Sequence, residues 1–213
     1  MQLVKDTFTK EFIKALAFDY YAHIKDVSLD IYAEEYFNNA GEYGFSHKSR
    51  LDYYTSEDTQ EFENLLFPCN IDILQYVLEN RNTFQNLQFL DNGAGFGILA
   101  AFLKKIDIDC YSYDNLLQLP EVPNFDTKIK DIVEIDPVRS DVPENWLEDV
   151  NVLTTSSAFC TERRFLEFKN LKYILMDKLR IEDGIFPELV KKYNFKILKE
   201  LPETIVYGEQ NEF

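Results

Sequence analysis

The stretch LQFLDNGAGFGILAAFLKK, residues 87–105, holds three of the chain's seven glycines, Gly93, Gly95 and Gly97, within five positions. Glycine admits positive φ and leaves room against the main chain, so such a cluster marks a shaped turn. Its flanks say which elements it joins. Leu87, Phe89 and Leu90 form a short apolar run ending at Asp91, whereas Ile98, Leu99, Phe102 and Leu103 recur at helical spacing. The predicted order is strand, glycine turn, helix. Such a turn aims free N–H groups and the positive end of a helix dipole at whatever binds there, which suits the polar part of a nucleoside derivative.

Spacing narrows the ligand. A dinucleotide turn, G-x-G-x-x-G, needs its third glycine at position 98, which is Ile98. A phosphate loop ends in Gly-Lys-Ser/Thr, and no lysine follows until Lys104. A nucleophile elbow places serine between the glycines, where this chain has Ala94 and Phe96.

What is left, Asp91-Asn92-Gly93-Ala94-Gly95-Phe96-Gly97, resembles the D/E-x-G-x-G-x-G first motif of class I S-adenosylmethionine-dependent methyltransferases. The resemblance implies a Rossmann-like α/β fold and S-adenosyl-L-methionine as cofactor. Gly93, Ala94, Gly95 and Gly97 would then pass under its methionine part, with Asp91 addressing the ammonium group. In element order the likeness runs over about residues 70–210.

Residues 106–113, IDIDCYSY, alternate as a strand does and end in Asp114, seventeen positions after Gly97. An acidic side chain at the tip of a second strand can accept both ribose hydroxyls, as in nucleotide-binding sheets generally. The resemblance carries Asp114 over as that ribose ligand. A further strand is expected within FDTKIKDIVEID, residues 125–136, where Asp131 and Ile132 resemble the acidic-apolar pair that holds adenine, with Glu134 as the alternative acid. Val150–Thr155 is the next strand and leads into Ser156 and Ser157.

That strand end carries Thr-Ser-Ser-Ala-Phe rather than the Asn/Asp/Ser-Pro-Pro-aromatic motif of amino-methylating relatives, which counts against methylation of exocyclic base nitrogens. Ser156 and Ser157 either orient an acceptor or, with their neighbours, cap a helix expected in TERRFLEFKNL. Near-neutral bases are limited to His23, beside a helical stripe, and His47. Further on, KYILMDK (172–178) is expected as a buried strand and GIFPELVKKY (184–193) as a helix with Pro187 in its first turn. FKILKEL and ETIVYGE follow as two closing strands, which a short turn at Pro202 makes an antiparallel pair.

The N-terminal part is expected to be helical, from Ile13, Leu16, Ala17, Tyr20 and Ile24 and again from Ile71, Leu74, Val77 and Leu78 after the cap-like Asn70. Between the stripes, residues 38–62 show no period and carry Tyr43, Phe45, His47, Lys48, Arg50, Tyr53 and Tyr54, the composition either of a lid over an acceptor or of a loop whose aromatics anchor it to the N-terminal helices. The expected division is a helical extension and lid at 1–69 and a cofactor domain at 70–213.

A formal net charge of −16 makes a nucleic-acid backbone an unsuitable partner, and 46% hydrophobic residues supply a core for a chain of 213. No apolar run reaches the roughly 20 residues of a membrane span, and the first residues lack a secretory h-region, so a cytoplasmic location is expected. Cys69, Cys110 and Cys160 are too widely spaced for a zinc motif and are read as packed, reduced thiols. The acceptor is expected to be a small molecule or a protein side chain. A non-catalytic binding module on the same fold, and other chemistry on the same cofactor, stay open as alternatives.

Overall fold

Parallel strands buried on both faces read as continuous apolar runs, and Tyr173–Asp177 (YILMD) is one, with all five residues buried. The computed structural model describes residues 2–9, 12, 66–95, 97–114, 133, 136, 138–155, 158 and 160–209. Within them a six-stranded sheet forms from β1 (Gln88–Asn92), β2 (Cys110–Tyr113), β3 (Val150–Thr155), β4 (Tyr173–Asp177), β5 (Lys196–Glu200) and β6 (Thr204–Gly208). Its order is β2-β1-β3-β4-β6-β5. Neighbours from β2 to β4 pair in parallel, and β6 runs antiparallel to both β4 and β5. This is the expected Rossmann-like α/β sheet, mostly parallel with one antiparallel C-terminal strand.

Side chains alternate across each strand and so feed two separate cores. Phe89, Val152, Leu175 and Val206 face one, where they meet α1 (Gln2–Thr7), α2 (Pro68–Glu79), α3 (Arg81–Phe84) and α4 (Ile98–Lys105). Leu90, Leu153, Ile174 and Ile205 face the other, under α5 (Glu144–Asp149) and α6 (Phe186–Lys192). The described N-terminal residues join the first core: Phe8 and Phe12 set their rings edge-to-face on Phe102 of α4, at 4.8 and 5.2 Å between centroids. The stripe at 13–24 and the segment 38–62 lie outside the described residues.

Several boundaries differ from the sequence reading. Strand β2 begins at Cys110, not at residue 106. The amides of Ile106, Asp107 and Ile108 turn back onto the carbonyls of Leu103 and Lys104, with Asp107 at a φ of 61°, so these residues close α4 instead of entering the sheet. Asn70 is not a cap either: α2 starts at Pro68, which needs no amide partner in the first turn, and Asn70 is buried inside it.

TERRFLEFKNL yields only a 3₁₀ turn, Arg163–Glu167, capped by the Glu162 carboxylate on the Arg164 amide at 2.9 Å. Phe165 and Phe168 stack into the core there, and the Lys169 amide binds the Leu147 carbonyl, which carries the chain away from a helical path. Of the strand expected at 125–136, only Val133 and Asp136 are described, and neither is in a strand. Among the described residues, a parallel bridge pairs Arg139 with Tyr113 at the β2 edge. The three cysteines are free and buried, as expected. No described helix is long and apolar enough to cross a membrane.

Candidate functional site

The glycine turn leaves β1 at its carboxyl end and enters α4 through three left-handed residues, Gly93, Gly95 and Gly97, at φ of 77°, 55° and 76°. Residues with a Cβ avoid that region, which by itself accounts for the glycines. A Cβ built on Gly95 would meet no atom of the described residues within 4 Å, so among them the backbone there is uncovered.

Backbone bonds fix the turn to the next strand. The Gly93 and Ala94 amides both donate to the Tyr113 carbonyl, at 2.9 and 3.1 Å, and the Gly97 amide donates to Ala94 at 2.9 Å. The Gly95 amide donates to Asp114 Oδ2 at 2.9 Å, and the Asp114 amide in turn donates to the Arg139 carbonyl. Asp114 is buried, with its carboxylate turned onto the glycine turn. Amides, a carboxylate and the N-terminal end of α4 thus converge where the sheet's strands end, the place at which open α/β sheets bind their ligands.

Asp91 sits one layer below. It is 1% exposed, and the Thr154 hydroxyl donates to its Oδ1 at 2.9 Å. Beyond β2 the Tyr113 hydroxyl donates to Glu162 Oε2 at 3.1 Å, tying the segment after β3 to the glycine turn. Burial, then the Glu162 charge, push the Tyr113 phenol far above its ordinary range. The same two causes push the Cys160 thiol up to about 12, and burial followed by the Asp91 charge raises the Cys110 thiol well above its usual value. Both thiols are neutral near pH 7 and supply no nucleophile.

Six residues singled out in the sequence, Asp91, Gly93, Ala94, Gly95, Gly97 and Asp114, are therefore neighbours in space. Asp131, Ile132, Glu134, His47, Ser156 and Ser157 lie outside the described residues. Thr154, Tyr113, Glu162 and Arg139 complete the surroundings and were not anticipated. Thr154 had a signal: it is a hydroxyl in the buried phase of an apolar strand. No group of three or more metal-ligating side chains occurs among the described residues. A cleft of about 400 Å³ lined by Ile181, Phe186, Val190, Phe195 and Tyr207 lies against α6 and the β5–β6 hairpin, and no glycine-turn residue lines it.

No family model and no curated protein matches the chain. Among solved structures, it is similar to a protein in the NADB-Rossmann superfamily from Streptococcus agalactiae, at 15% identity and a TM-score of 0.43, over 68% of each chain. It is also similar to Thermoplasma acidophilum 1320, at 14% identity and a TM-score of 0.40, over 66% of this chain and 85% of that one. The fold assignment rests on the strand order and register given above.

Proposed function

We propose that the chain binds S-adenosylmethionine at the glycine turn and transfers its methyl group to a small molecule or a protein side chain. The observation that carries this is the meeting of Asp114 with the turn: a carboxylate held 2.9 Å from the Gly95 amide, beside backbone that no described side chain approaches. Under this reading Gly93, Ala94, Gly95 and Gly97 hold the methionine end with Asp91 beneath, Asp114 takes the ribose, and Asp131 and Ile132 take the adenine. Ile98, where a dinucleotide turn needs its third glycine, is the first residue of α4, which disfavours NAD.

When bound, this cofactor supplies a methyl group already activated on a sulfonium centre. The protein's work is then to align the acceptor and keep water out. Under this reading residues 38–62, with His47, in the extension at 1–69, and Ser156 and Ser157, in the cofactor domain at 70–213, serve the acceptor side.

Calorimetry decides the reading. The protein should bind S-adenosylmethionine and S-adenosylhomocysteine but not NAD. Gly95→Asp should abolish binding, since it brings a second carboxylate against Asp114; the left-handed φ of 55° strains any side chain there, so circular dichroism must show the variant folded before its binding is read. A wild-type protein that binds neither sulfur nucleoside overturns the proposal.

A further inference from the structure

Parallel register sets three polar residues side by side on one face of the sheet. Asp91 of β1 pairs with Ser112 of β2 on one flank and with Thr154 of β3 on the other, and all three are buried. The next residue in the row is Leu175, and Phe89 and Val152 stand on the same face behind them. The two hydroxyls differ in use: Thr154 Oγ1 donates to Asp91 Oδ1 at 2.9 Å, whereas Ser112 Oγ has no hydrogen-bond partner among the described residues.

We infer that Thr154 is the positioning residue of the proposed cofactor site, orienting the Asp91 carboxylate toward the ligand's ammonium group; this rests on the reading above. The parallel register that pairs Thr154 with Asp91 keeps this hydroxyl within reach of the carboxylate. A carboxylate turning freely about its last torsion would meet the ammonium in several orientations. One held from the neighbouring strand by the Thr154 hydroxyl has that range narrowed. Burial strengthens the restraint, because a charge-assisted bond between buried groups costs more to break than one in water.

Thr154→Val removes the donor and keeps the shape, and Thr154→Ser keeps the donor. Calorimetry should show Thr154→Val weakening S-adenosylhomocysteine, which carries the ammonium group, about tenfold, with Thr154→Ser and Ser112→Ala within about twofold of wild type. Affinity for 5′-methylthioadenosine, which lacks the amino-acid part, should stay unchanged in all three variants. Where that ligand binds below detection, the Ser rescue alone decides. Unaltered S-adenosylhomocysteine affinity in Thr154→Val, equal loss on both ligands, or a Ser variant as impaired as Val overturns the inference and leaves the function standing. Wild-type protein that binds neither ligand overturns both.

Discussion

Gly95 and Asp114 share one hydrogen bond, so a change at either is felt by the other. That coupling separates two contributions that a simple alanine change merges. Asp114→Asn keeps an oxygen to accept the Gly95 amide and loses the charge, whereas Asp114→Ala loses both and leaves the amide without its partner. The expected order of affinity for S-adenosylhomocysteine is wild type, then Asn, then Ala, with Ala weaker by about 1–3 kcal/mol. Titration calorimetry on the three proteins gives the order directly, and equal affinity in Asp114→Ala would remove the residue from the site. Gly95 and Asp114 were readable in the sequence because a glycine in a turn and an acid at a strand tip are local signals. Thr154 was not, because its role comes from lateral register with Asp91, sixty-three positions earlier, and register is not a local property.

At the scale of elements, the change of period from strand to helix around residues 91–98 made the central β1–turn–α4 unit legible, and the closing strands were legible from the brevity of their connection. The failures share a cause. Alternation in IDID satisfies a strand template, yet the same amides were claimed by the end of α4, and the sequence does not say which carbonyls reach them first. TERRFLEFKNL likewise has helical composition, but Phe165 and Phe168 are drawn into the core and Lys169 to Leu147.

The entry to α6 gives a test of how elements hold the segment after β3. Gly184 has a φ of 59°, and a Cβ there would lie 2.1 Å from the Cys160 carbonyl, the same oxygen that accepts the Ile185 amide at 2.7 Å. Gly184→Ala must therefore push the two segments apart as well as strain its own backbone, and should destabilise the protein by about 2–4 kcal/mol. A urea midpoint within error of wild type would mean that this contact is readily relaxed.

For the molecule as a whole, the buried thiols predict an alkaline weakness. Cys160 is pushed from 9.0 up to about 12 by burial and Glu162, and Cys110 moves the same way through burial and Asp91. Folding therefore favours the neutral thiols. Their contribution is fully present below about pH 9, where unfolded thiols are neutral too, and falls above it, for Cys160 as pH rises toward 12, because the unfolded chain releases protons that the folded one retains. Each such thiol adds a slope of up to about 1.4 kcal/mol per pH unit in that window. Urea unfolding at about pH 8 and about pH 10.5 should show the fall, and Cys160→Ala should lessen it. The same steepness in that variant would assign the loss to other groups, of which Tyr193, raised to about 12 by burial, is one.

Strand β6 lies between β4 and β5 although it follows both along the chain. Synthesis delivers the strands in the wrong order for zipping the sheet from one side. Until Thr204–Gly208 leaves the ribosome, β4 presents a bare apolar edge, and β5 has no neighbour to pair with. The nascent protein must wait with that edge open, which makes it a client for whatever shields unpaired strands during translation. A message broken before codon 204 would accordingly yield a sticky product rather than a shorter version of the same fold.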